Sequence, residues 1–146
     1  MGLVMSDENQ RRLVFHGAIV LLIGGLFGIP EAGEVRRGAP EAEIHAWRVA
    51  HDALVAGGVM LIAIGAALRN AVLSPSAATW LVGALIAVAY GAVVGLGLQA
   101  LTGVHGLEPT GPPLNFIAFL GNLCVGVGTL VGLSLLIWGT RGRRAT

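Results

Sequence analysis

Four histidines are the side chains in this chain best suited to chemistry, and one of them is set apart by its position. His51 closes a charged stretch, Ala46-Trp47-Arg48-Val49-Ala50-His51-Asp52-Ala53, after which only apolar and small residues follow as far as Leu68. An ionisable group at the margin of a membrane-length apolar run is costly and calls for a partner or a task. Imidazole is also a common ligand of metal ions and of haem iron. His51 is therefore the leading site candidate, with axial haem ligation as its expected chemistry.

Its surroundings fit that expectation in part. Ala50, Ala53, Gly57 and Gly58 continue the same helix, and side chains this small leave space for a porphyrin face or equally for another helix. Arg48 lies one turn before His51, where it could neutralise a haem propionate or simply snorkel to the interface. Asp52 is adjacent to His51, and adjacent helical residues do not face each other, so the two are not read as a dyad.

The other histidines carry less. His16 lies early in the first apolar run and His51 at the opposite end of the second, so a haem held by both is geometrically poor. His16 is expected at the interface or hydrogen-bonded to a neighbouring helix. His45 and His105 are read as solvated, with His105 close enough to approach the His51 site as a second ligand. Tyr90, Gln99, Asn115 and Asn122 lie within or at the edges of apolar runs, where hydrogen bonding between helices, worth about 0.6–2 kcal/mol each, is the default. Tyr90 and Asn122 are the weaker candidates for a catalytic role. Cys124 is the only cysteine, which excludes a disulfide framework or thiolate cluster within the chain and reads as a small buried thiol.

The elements that must position these groups follow from composition. Of 146 residues, 55% are hydrophobic and 12% charged, too apolar a balance for a water-soluble domain of this length. The formal net charge of +1 offers no basic footprint for nucleic acid. Four apolar runs, Leu13–Pro30, Val49–Leu68, Ala77–Leu101 and Leu114–Trp138, are each near or above the ~18–20 residues that cross a hydrocarbon core. Backbone groups in lipid must be satisfied within the segment, which makes these runs helices. The expected fold is all-α, an integral membrane four-helix bundle forming a single transmembrane domain over residues 1–146, its first run retained rather than cleaved as a signal peptide.

Breakers separate the runs. Pro30 is expected to end the first, and Glu31–Ile44 to form a polar loop broken by Gly33, Gly38 and Pro40, although Glu41–Ala50 is free of breakers and could extend the second helix outward. Ser74-Pro75 marks a short turn, and Thr102–Pro113 is too rich in Gly and Pro to continue a helix. Gly24-x-x-x-Gly28, Gly91-x-x-x-Gly95 and Gly128-x-x-x-Gly132 allow close helix approach, most simply within one subunit. Trp47, Trp80 and Trp138 suit the interfacial belt. Arg11, Arg12, Arg69, Arg141, Arg143 and Arg144 fall on the side shared by the termini, against Arg36, Arg37 and Arg48 opposite, a bias that favours cytoplasmic termini.

No phosphate loop, zinc-protease helix or serine nucleophile elbow is present. Two function classes remain: a membrane protein carrying a cofactor at His51, or a non-catalytic membrane scaffold subunit in which His51 only bonds across an interface.

The order of features resembles the styrene oxide isomerases. His16-Gly17 opens the first span; a polar loop ends in Trp-x-x-Ala-His (Trp47, Ala50, His51) and opens the second. A glycine-bearing third span follows, and then a Gly/Pro-rich loop leading into Asn115-Phe116-Ile117-Ala118-Phe119-Leu120. The resemblance implies a bacterial inner-membrane homotrimer that binds haem b near subunit contacts, with His51 as axial ligand. It implies a small hydrophobic substrate and ferric iron acting as a Lewis acid that turns an epoxide into an aldehyde. The chain departs from the family at two points: Gly57 stands where the family has an asparagine, and Gly95-Leu96-Gly97-Leu98 where it has a tyrosine, with Tyr90 two turns earlier as the nearest phenol.

Overall fold

The computed structural model describes residues 3–4 and 7–141. The helices are α1 (Asp7–Arg37), α2 (Glu41–Ala67), α3 (Pro75–Thr102) and α4 (Pro113–Thr140). A short 3-10 turn, Leu68–Asn70, follows α2, and β1 (Leu3–Val4) pairs antiparallel with β2 (Val72–Leu73). All four helices are long and apolar enough to cross a membrane. At 27–31 residues each, they exceed what a hydrocarbon core requires, so their ends stand in the headgroup region or beyond. The chain is thus an all-α, multi-pass membrane bundle.

The helices alternate in direction. The β1–β2 ribbon and the end of α4, where Gly139 packs on Leu73, share one end of the bundle; the α1–α2 turn and the α3–α4 loop share the other. Arg11, Arg12, Arg69 and Arg141 are at the first end and Arg36, Arg37 and Arg48 at the second; Arg143 and Arg144 lie outside the described residues.

Two tight hairpins make the bundle, α1 with α2 and α3 with α4, and α3 joins them by contacting both α1 and α2. The core is built by α1, α2 and α3: Leu13 and Val20, then Leu54 and Leu61, then Leu81, Val82 and Leu85 are buried together. On α4 the buried residues are all small, namely Ala118, Gly121, Gly128, Gly132 and Gly139. This helix therefore docks by backbone approach rather than by bulky side chains: a Cβ on Gly91 would lie 2.6 Å from the Gly121 carbonyl oxygen. All three Gly-x-x-x-Gly pairs are used within the chain. Large apolar side chains cover the outside, including Phe15, Leu22, Met60, Phe116, Leu130 and Ile137, as a lipid-facing surface requires.

Two expectations change. Pro30 does not end α1, which continues to Arg37 and reduces the connection to residues 38–40. Pro30 cannot donate to the Leu26 carbonyl, a loss confined to one bond. On either side of it α1 is fastened to the outward extension of α2, by the Phe27–Trp47 ring contact before Pro30 and the Glu31–Arg48 ion pair after it. Cys124 is exposed rather than buried, at the edge of the α3 seam, where its Cβ flanks Gly91.

Neighbouring glycines give a direct test of the packing. A Cβ on Gly58 would lie 2.6 Å from the Leu21 backbone nitrogen, whereas one on Gly57 meets nothing within 4 Å. Gly58→Ala is expected to cost about 1–3 kcal/mol, and Gly57→Ala to gain up to about 1 kcal/mol through helix propensity. Thermal unfolding in detergent followed by circular dichroism compares them.

Candidate functional site

His51 lies on the face of α2 turned toward α1. Its Nδ1 is 2.8 Å from the carbonyl oxygen of Gly24. A carbonyl only accepts, so Nδ1 carries the proton and donates it, and in the neutral ring Nε2 is left with its lone pair. The first Gly-x-x-x-Gly pair makes this contact possible. A Cβ on Gly24 would strike the Val55 backbone nitrogen at 2.7 Å, and a Cβ on Gly28 would come within 3.1 Å of Nδ1 and 3.2 Å of Cε1 of the imidazole. One glycine admits the backbone of α2; the other admits the ring of His51. The imidazole is partly buried, with its donor nitrogen fixed and its acceptor nitrogen uncommitted among the hydrogen bonds of the described residues.

The small residues beside His51 divide. Ala50 is buried, and Gly58 is filled against α1, so neither leaves room for a flat cofactor. Gly57 has open space around it and Ala53 is exposed. Arg48 pairs with Glu31 at 3.1 Å and reaches Glu41 at 3.5 Å. Its side chain is 44% exposed, so these pairs contribute little stability and can exchange for another anion.

His105 lines a cleft that His51 does not. It is exposed and shares a cleft with His45, on the side of α2 that faces the end of α3. Among the described residues no three His, Cys, Asp or Glu side chains gather as a metal cage.

His16 is bonded to the neighbouring helix: its Nδ1 lies 2.9 Å from the Tyr90 hydroxyl, with the rings edge to face. This pair fixes the depth of Tyr90. On α1 and α3, which run in the same direction, His16 meets Tyr90 and Phe27 meets Gly97. The Gly24 carbonyl that meets His51 lies eight residues beyond His16 on α1, so the His51 contact is about 12 Å along the axis from the His16–Tyr90 pair at ~1.5 Å rise per residue.

Asn115 and Asn122 bond a loop rather than another helix. Asn122 donates to the carbonyl oxygens of Gly106 at 2.9 Å and His105 at 3.3 Å. Asn115 accepts from the Gly106 amide at 2.8 Å and donates to the carbonyls of Glu108 and Thr110. Gly106, at φ 59°, is pressed onto Ala118, where a Cβ would lie 2.7 Å from backbone. Asn115, Ala118 and Asn122 follow one face of α4 at i, i+3 and i+7, and that spacing directly after a Gly/Pro-rich loop is the sequence signal of the clasp. Asn115→Ala is expected to speed hydrogen exchange of the Gly106 amide by about tenfold, the loss of one buried acceptor. Mass spectrometry of the 103–112 peptide measures this.

Comparison with known proteins gives one family. Neither the curated proteins nor the solved structures yield a match. A family model described as styrene oxide isomerase matches residues 9–141, a stretch that includes α1 from Asn9 onward, the other three helices, His51 and the clasped loop. The chain belongs to the styrene oxide isomerase family.

Proposed function

We propose that this protein binds haem b through His51 and acts on a small hydrophobic molecule carrying one oxygen. The observation that carries the reading is the hydrogen bond from His51 Nδ1 to the Gly24 carbonyl. A ligand imidazole typically has its second nitrogen held in this way, which fixes the tautomer, aims Nε2 and raises its basicity. The donor set also discriminates between metals. A bare zinc ion needs three or four protein ligands, whereas a porphyrin supplies four nitrogens of its own and asks the protein for one. A single oriented imidazole fits haem.

The chain's own groups have distinct tasks. His51 offers the Nε2 lone pair, the Gly24 carbonyl holds the Nδ1 proton, and Gly28 gives the ring its place against α1. Gly57 and Ala53 leave an open wall on α2, and Arg48 is within exchange of its carboxylate partners for a propionate. When bound, ferric haem supplies a Lewis acid for opening an epoxide C–O bond, with a 1,2-shift giving the aldehyde and no net redox change. No phenol stands level with His51, and Gly57 replaces the family's amide, so the oxygen would be held with fewer hydrogen bonds than in the rest of the family. Related small oxygen-bearing ligands are therefore within the same reading. The arginine bias supports a bacterial inner-membrane location with cytoplasmic termini, and family membership supports a homotrimer.

Absorption spectra of the detergent-purified protein, oxidised and reduced, test the reading. The parent is expected to show a Soret band that His51→Ala loses or shifts. A colourless parent after expression with added haem would contradict it and leave a cofactor-free scaffold. Gly28→Val is expected to weaken haem retention by about 10–100-fold, as loss of an orienting contact does, whereas Gly25→Val, with nothing within 4 Å of its Cβ, leaves it unchanged. Haem titration of the variants distinguishes these outcomes.

A further inference from the structure

A cavity opens at the same end of the bundle as His51. It is a cleft of about 780 Å³ between the outward extension of α2, the last turn of α3 and the α3–α4 loop. That volume lies in the range of small-molecule sites. Trp47, Val49 and Leu101 give it apolar walls; His45, His105 and Gln99 give it polar ends.

The polar wall is built. The backbone of His105 is held by Asn122, and the next residue, Gly106, is bonded to Asn115 and wedged onto Ala118. A loop tied at three points fixes the backbone from which the His105 side chain projects, which lowers the ordering cost of binding. The charge of the lining narrows the ligand. Glu34 and Glu43 line the cleft and no Arg does, so an anion is disfavoured. Glu34 is already paired with Arg37, and Glu43 is exposed, where solvent and salt screen its charge. The apolar walls then favour a neutral molecule.

The cleft also has a defined relation to His51. Trp47 lines it and meets Phe27 edge to face, with ring centroids 5.6 Å apart. Phe27 packs toward Gly97 of α3, and its chain neighbour Gly28 bears the His51 imidazole. His51 itself is one helical turn on from Trp47. The aromatic pair therefore separates the cleft from the histidine.

We propose that this cleft is a capture site for a small neutral molecule with an aromatic or other apolar body and one hydrogen-bonding oxygen. The body lies against Trp47, Val49 and Leu101, the oxygen is held by His45 and His105, and Phe27 and Trp47 form the wall toward His51. Passage of the captured molecule to His51 rests on the haem reading above; binding in the cleft does not.

Photolabelling of the full chain in lipid nanodiscs with a benzyl alcohol bearing a trifluoromethyl diazirine tests this, with labelled peptides mapped by mass spectrometry. The expected result is saturable labelling confined to residues 42–49 and 99–105, competed by benzyl alcohol. It should fall about fivefold in the His45→Ala/His105→Ala double variant, the loss expected for removing the polar contacts, and equally in Val49→Trp, which fills the cleft. Labelling that rises linearly, spreads over the lipid face of α4 and ignores both variants would overturn the proposal. Stronger competition by benzylamine than by benzyl alcohol would overturn the neutral ligand. A colourless protein that still labels saturably would remove the haem reading and leave this one standing.

Discussion

The close approach of α1 to α2 at Gly24 and Gly28 is the constraint on which the rest depends. In lipid, apolar side chains gain nothing by leaving one hydrocarbon surface for another, so helices associate through backbone proximity and packing. Here that proximity does a second thing. Because α1 has no side chain at these points, a carbonyl of one helix becomes available to the imidazole of the other. The same contact that holds the hairpin together selects the tautomer of its one well-placed histidine. Structural economy and site chemistry are joined at two glycines.

The second hairpin follows the same rule with a different outcome. At the α3–α4 seam Gly121 meets Gly91 and Gly95, and Gly128 and Gly132 receive Ala84, Leu85 and Val88, so α4 buries almost no large side chain of its own and presents most of its surface outward. The polar groups left at its top, Asn115 and Asn122, are spent on satisfying the carbonyls and amide of a loop that no strand or helix pairs. The His16–Tyr90 bond links α1 to α3 across the two hairpins. His16, Tyr90, His51, Asn115 and Asn122 thus each have a partner inside or at the edge of the apolar zone, as expected where water is scarce.

Much of this was legible in the residues. Four apolar runs of membrane length give four helices, the Gly-x-x-x-Gly spacing gives packing within the chain, and the charge-to-apolar boundary singles out His51. The partnership of His16 with a neighbouring helix was also expected. What escaped is relational. Pro30 reads as a stop, because the fastening of α1 by Trp47 and Arg48 comes from another helix. Gly57 and Gly58 read alike, yet one faces open space and the other the α1 backbone, a distinction set by helix rotation. Tyr90 reads as the nearest phenol to the site until its bond to His16 fixes its depth. The asparagines read as interhelical, since the spacing of Asn115, Ala118 and Asn122 marks one face of α4 without saying whether a helix or a loop covers it.

The central claim is that His51 serves as a ligand through Nε2 rather than as a packing residue. Chemical rescue asks this directly: His51→Gly removes the ring, and free imidazole is then added to the haem-supplemented variant. The account predicts that the variant loses the parent's haem spectrum and that imidazole restores it in a saturable way. A His51→Gly protein that keeps the parent spectrum without imidazole would contradict it.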